Sequence, residues 1–174
     1  EASSVAGIGE VRSLESVYLS NNNLKGTLPA ELMQLSNLKR LSASFNGLSG
    51  ELPDEFEILS NLEYLALHDN EFSGTIPLSI SKMNRLQFLL IQANEFEGNI
   101  PGGINLLSEL RYIDLSDQRS DTGLTGKIPN LATLKHLKRV DLSKNRLNGS
   151  IPLDFLNLLP LSMLEMLDAS NNLL

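Results

Sequence analysis

The chain has 174 residues, the length of one ordinary domain, and is 41% hydrophobic but only 5% aromatic with no Trp, so aliphatic side chains must build its core. Its 14 basic residues face 21 acidic ones, a net charge of −7, which argues against nucleic acid as a partner and gives no attraction to an anionic membrane. Cys is absent, which excludes disulfides, thiolate metal sites and cysteine nucleophiles.

The first residues, Glu1-Ala2-Ser3-Ser4, carry no basic stretch leading into an apolar one, so no signal peptide is expected there. Residues 1–13 place Ile8 and Val11 as the tail of a preceding repeat. From Leu14 onward a pattern recurs. One copy reads Leu14, Val17, Leu19, Asn22, Leu24, Gly26, Leu28, Pro29, and the next reads Leu38, Leu41, Ala43, Asn46, Leu48, Gly50, Leu52, Pro53. Equivalent copies start near Leu62, Leu86, Leu110, Leu137 and Leu164, and the last ends at Leu174 without its Gly and Pro. Pairs of apolar residues precede each start, from Leu32 and Leu35 to Leu158 and Leu161. A run of about 18 apolar residues is absent, so no membrane insertion by this segment is expected.

Each position has a physical role. Val17 and Leu19 lie two apart and face one side of a short strand, while the residues between them face the other. One unit cannot bury its apolar side alone, but stacked units give a parallel sheet over a continuous core. Asn22, Asn46, Asn70, Asn94, Asn145 and Asn172 are expected to form a ladder, because an amide both donates to and accepts from backbone groups. The fifth copy has extra residues after its strand and no Asn at that place, so Gln118 or Thr122 must take it over.

The motif L-x-x-L-x-L-x-x-N-x-L-x-G-x-I/L-P, carried to its Pro in six copies, resembles the plant-type leucine-rich-repeat family over essentially the whole chain. The resemblance implies an α/β repeat solenoid, right-handed and curved, with a concave parallel β-sheet and short 3₁₀ or α turns on the convex side. It also implies a non-catalytic recognition module, the ligand-binding segment of a receptor-like (kinase) ectodomain acting in signalling or defence. A secreted inhibitor of an extracellular, cell-wall-degrading enzyme is the alternative, and an ice-binding solenoid a minor one. The last is weakened because Glu51 and Lys127 interrupt the row Thr27, Glu51, Thr75, Asn99, Lys127, Ser150. The family's ectodomains usually carry paired-cysteine caps, which this sequence lacks. The expectation is therefore one leucine-rich-repeat domain over 1–174 that is a piece of a longer protein, with a cysteine-free protein with atypical caps as the alternative.

No catalytic set, cofactor motif or metal cluster stands out, and His68 and His136 read as solvated surface histidines. Ligand-binding candidates lie on the outward strand positions. Tyr64, Phe88 and Tyr112 should stack across adjacent strands about 4.8 Å apart, with Leu90 beside them. That patch suits a partner, though cross-strand packing alone also accounts for it. Arg40 and Tyr18 lie to one side, and Asp114, Asp141, Asp168, Arg139 and Lys144 to the other. A peptide or protein ligand fits an apolar centre with charged ends; a co-receptor and a glycan are further partners to consider. The insertion offers Gln118, Arg119 and Asp121 at the sheet edge, against the simpler reading of a tolerated loop. Acidic residues gather over 51–71 and basic ones over 127–146, which reads as ordinary solvated surface, with a field that could orient a partner as the alternative. Asn148-Gly149-Ser150 is an N-glycosylation sequon and weakly favours an extracellular setting.

Overall fold

The computed structural model describes residues 7–121, 123–152 and 163–174. The chain winds as a curved, right-handed leucine-rich-repeat solenoid with two parallel sheets. In chain order its strands are β1 (Ser16–Tyr18), β2 (Lys25–Gly26), β3 (Arg40–Ser42), β4 (Gly47–Glu51), β5 (Tyr64–Ala66) and β6 (Glu71–Thr75). They continue as β7 (Phe88–Leu90), β8 (Glu95–Asn99), β9 (Tyr112–Asp114), β10 (Leu124–Thr125), β11 (Arg139–Asp141) and β12 (Met166–Asp168). The first sheet orders them β1-β3-β5-β7-β9-β11-β12 and the second β2-β4-β6-β8-β10.

The second sheet goes beyond the sequence reading. Its strands run through the Asn-x-Leu-x-Gly part of each repeat, where glycine is a poor strand former. Stacking in register supplies what propensity does not: Gly50 pairs with Phe72 and Gly74 with Phe96. The same stacking lays the buried Phe72 and Phe96 rings parallel, 6.5 Å apart and 10° from coplanar.

On the far side the connections are 3₁₀ turns: Ile8–Glu10, Ala30–Gln34, Phe56–Leu59, Leu78–Lys82 and Gly102–Leu106. No α-helix occurs among the described residues. Three of these turns start directly after a proline, Pro29, Pro77 or Pro101, whose ring fixes φ and whose missing N–H is not needed there. In a 3₁₀ turn residues three apart eclipse one another. The spacing of Leu32 with Leu35, Ile80 with Met83, and Ile104 with Leu107 therefore aims each pair into the core, where all six are buried. The pair Leu158 and Leu161 lies outside the described residues.

The asparagines knit the repeats. Asn70 Nδ2 donates to Leu67 O at 2.9 Å in its own repeat and to Ala43 O at 3.0 Å in the previous one, while its Oδ1 accepts from Leu48 N at 3.0 Å. Asn46, Asn94, Asn145 and Asn172 repeat this set, each joining the two sheets of neighbouring coils. Among the described residues, Asn22 donates only inside its own repeat, to Leu19 O and Ser20 O. The residue before each amide, Asn21, Phe45, Asp69, Ala93, Asp117, Lys144 or Asn171, is left-handed with φ between 53 and 58. That kink aims the next side chain inward, and at all seven positions a residue other than glycine bears its cost.

Candidate functional site

The outward strand positions form three aligned rows on the first sheet. Pairing sets Arg40 beside Tyr64, Tyr64 beside Phe88, Phe88 beside Tyr112, and Tyr112 beside Arg139. The Tyr64 and Phe88 rings are 5.6 Å apart and tilted by 48°, and those of Phe88 and Tyr112 are 4.9 Å apart and stacked within 15°. All three rings are half-buried. In the next row Ala66 is buried beneath its neighbours, and Leu90 pairs with Asp114. Tyr18, 66% exposed on β1, is separated from Leu90 by Ser42 and Ala66 and does not join the aromatic row. Arg40 is exposed at the row's near end.

Beyond Tyr112 the face turns acidic. Asp114 Oδ1 accepts from Ser116 N at 3.1 Å and from Ser116 Oγ at 2.6 Å. Asp141 does the same with Ser143 at 3.0 and 2.7 Å, and Asp168 accepts from Ser170 N at 2.8 Å. These clamps fix the carboxylates in a row across β9, β11 and β12. Burial pushes the Asp114 carboxyl above its ordinary 3.8, opposed by the two Ser116 bonds, with Asp141 adding repulsion and His68 a smaller attraction. Asp168, at the open end, is held below 3.8 by its bonds from Ser170. A cavity of about 190 Å³ opens here, lined by Leu90, Tyr112, Ile113, Asp114, Arg139, Asp141 and Met166. Arg139 Nη2 lies 3.1 Å from Met166 Sδ. The Asp-x-Ser spacing at 114/116, 141/143 and 168/170 was the signal in the sequence that could have revealed the clamps.

The insertion divides into two parts. Gln118, expected at a binding edge or in the ladder, is buried and takes the ladder place. Its Nε2 donates to Leu115 O at 3.1 Å and Ile91 O at 3.2 Å, and Oε1 accepts from Phe96 N at 3.1 Å, so it has no face left for a partner. Thr122 lies outside the described residues. Arg119 is exposed but folds back, its Nη2 3.5 Å from Asp69 Oδ1 and its Nε 4.0 Å from Asp117 Oδ2. Lys144 pairs with Asp117 at 3.5 Å instead of joining the acidic row. Asp121 is exposed, and its carbonyl accepts from Arg146.

His68 is not the solvated histidine expected. Its Nδ1 is 2.9 Å from Asp69 Oδ2, and the ring meets Phe45 edge-on at 5.0 Å, because the left-handed turns at Phe45 and Asp69 bring both side chains against it. His136 is exposed. Among the described residues no cluster of His, Asp and Glu could hold a metal ion, and no helix is long and apolar enough to cross a membrane. Asn148 is exposed and bridges Lys127 and Leu173 in the second ladder, away from the acidic cavity.

A leucine-rich-repeat family model matches residues 13–35, 37–59, 61–83 and 136–158, more than half of the chain. No curated protein sequence matches. Among solved structures the chain is similar to the plant peptide hormone receptor RGFR1 in complex with RGF2, at 36% identity and a TM-score of 0.86 over 95% of this chain and 26% of that one. It is similar to the ectodomain of the Arabidopsis receptor kinase HAESA in complex with an extended IDA peptide hormone, at 36% identity and 0.84, over 92% and 26%. A plant ice-binding protein gives 30% identity and 0.77, over 95% and 51%. The chain thus spans about a quarter of the length of these receptor ectodomains. The likeness is carried by residues recurring at the repeat spacing rather than by any single site, and on that ground the chain belongs to the leucine-rich repeat family.

Proposed function

We propose that this stretch is the ligand-binding part of an extracellular, receptor-like leucine-rich-repeat ectodomain, which takes a peptide or protein segment across its concave sheet without chemistry of its own. The observation that carries the reading is the aromatic row Tyr64–Phe88–Tyr112 running directly into the acid-lined cavity at Asp114 and Asp141. Half-buried aromatics give large contact area at small entropic cost, and charged groups beside them fix register. Arg40 would contact the near end of the ligand and Arg139 the far end, with Leu90 on the floor between. Tyr18 and the exposed Asp121 and Arg119 would meet only a partner large enough to reach the edges, such as a co-receptor. The peptide-hormone complexes of RGFR1 and HAESA support this reading. The ice-binding alternative is not favoured, since Glu51 and Lys127 break the outward array it would need. Asn148 would carry an N-glycan in that setting, clear of the concave face.

The test is selection of phage-displayed random peptides on the purified chain. Replacing Tyr64, Phe88 and Tyr112 together with Ser should weaken the selected peptides at least about tenfold, with circular dichroism unchanged. Unaltered affinity together with a lowered melting temperature would assign the row to sheet packing and defeat the reading.

A further inference from the structure

The cavity between β9, β11 and β12 is too small for a whole ligand. Its volume of about 190 Å³ falls below the roughly 300 Å³ at which small-molecule sites begin, and suits a single side chain. Its walls are of two kinds. Leu90, Ile113, Met166 and the Tyr112 ring are apolar, while Asp114 and Asp141 present carboxylates from directly paired positions on adjacent strands. Each carboxylate has Oδ1 committed to its serine, and Oδ2 receives no hydrogen bond among the described residues. Two fixed, unbonded acceptors therefore stand on directly paired positions of adjacent strands in the cavity wall. Asp168 continues the acidic row. Arg139 is the one base in the lining, and it lies against Met166 Sδ without pairing with any of these carboxylates.

We propose that this cavity receives a basic side chain, arginine or lysine, from an extended peptide lying across β7, β9, β11 and β12. The proposal rests on the concave face being the recognition surface. An arginine fork offers parallel N–H donors to a pair of carboxylate oxygens, and its methylene stem needs apolar walls. The Tyr112 side chain adds to that apolar wall. Burial already disfavours the charge on Asp114, and a seated cation restores it.

The experiment uses the same peptide selection, run on the chain, on an Asp114→Asn/Asp141→Asn double variant and on Arg139→Gln. Asparagine keeps the Oδ1 acceptor for Ser116 and Ser143, so the clamps stay intact while the charge goes. Peptides chosen by the unmodified chain should share an Arg or Lys at a fixed distance from an apolar or aromatic residue. Replacing that Arg by citrulline in a synthetic copy should lower affinity by about tenfold or more on the unmodified chain and little on the double variant. Arg139→Gln, which removes a proposed ligand contact, should weaken binding overall but leave the basic residue of the selected peptides in place. Peptides that need Tyr64, Phe88 and Tyr112 yet show no basic residue, or lose citrulline sensitivity in neither protein, would overturn this subsite and leave the recognition reading standing. An acidic consensus lost in Arg139→Gln would overturn it in favour of Arg139 as the reading residue. No enrichment on any of the proteins would remove the recognition reading and this subsite together.

Discussion

Gln118 Oε1 accepts a hydrogen bond from Phe96 N at 3.1 Å across two consecutive repeats, in the place where Asn94 serves Phe72 and Asn145 serves Leu124. With the left-handed Asp117 before it, the longer glutamine keeps the ladder unbroken where the insertion begins. Gln118→Leu would leave buried backbone groups of Phe96, Ile91 and Leu115 without that partner. A loss of about 2–4 kcal/mol is expected, since each orphaned buried group costs about 1–3 kcal/mol. Gln118→Asn should cost less. Urea denaturation of the two variants checks this, and equal stability of Gln118→Leu and the unmodified chain would refute it.

The two aromatic stacks should respond differently to truncation. Phe72 is fully buried against Phe96, so Phe72→Ala should cost roughly 3–5 kcal/mol through lost transfer energy and a cavity. Phe88 is half-buried on the concave face, and Phe88→Ala should cost only about 0.5–1.5 kcal/mol, the scale of an aromatic pair. Comparable losses for the two, measured by calorimetry, would mean that the concave row is chiefly a structural device.

The acidic row gives a pH signature with opposite signs at its two ends. Asp114 has a raised pKa, so it holds its proton more tightly folded than unfolded. Its contribution to stability is full below 3.8 and is lost as pH rises through the raised value. Asp168 has a lowered pKa, so its contribution is present above 3.8 and is lost as pH falls through the lowered value. Denaturation midpoints over this acidic range should therefore fall with rising pH for the unmodified chain relative to Asp114→Asn, and rise relative to Asp168→Asn. Slopes of the same sign for both comparisons would contradict the assignment.

Two glycines on either side of the Ile-Pro step of their repeats should diverge. Gly126 has φ +73, and a Cβ there would run into the Asn99 side chain. Gly126→Ala should destabilise by more than about 1 kcal/mol, as expected for alanine at positive φ. Gly102, at the start of its 3₁₀ turn, leaves a Cβ in open space without positive φ. Gly102→Ala should be neutral or stabilising by about 0.4–1 kcal/mol through the unfolded chain. Thermal melts of the pair settle the contrast, and a destabilised Gly102→Ala would count against it.

The order of the first sheet, the inward residues and the alignment of Tyr64, Phe88 and Tyr112 were legible in the sequence, because a solenoid converts a fixed spacing along the chain into adjacency in space. Leu32 and Leu35 showed the inward face of a turn for the same reason, although the 3₁₀ geometry that eclipses them was only one of two forms expected. The second sheet was not legible, since its glycines have little strand propensity and pair only once the repeats are stacked. Nor was the fate of the insertion: spacing left Gln118 and Thr122 as rivals, and the burial and hydrogen bonds of Gln118 decided the matter. The reach of Arg119 to Asp69 and the packing of His68 against Phe45 also depended on the third dimension. Sequence period determines which residues neighbour one another from coil to coil. The direction a long polar side chain takes, and whether its charge meets solvent or a partner, depends on local curvature and packing that no period encodes.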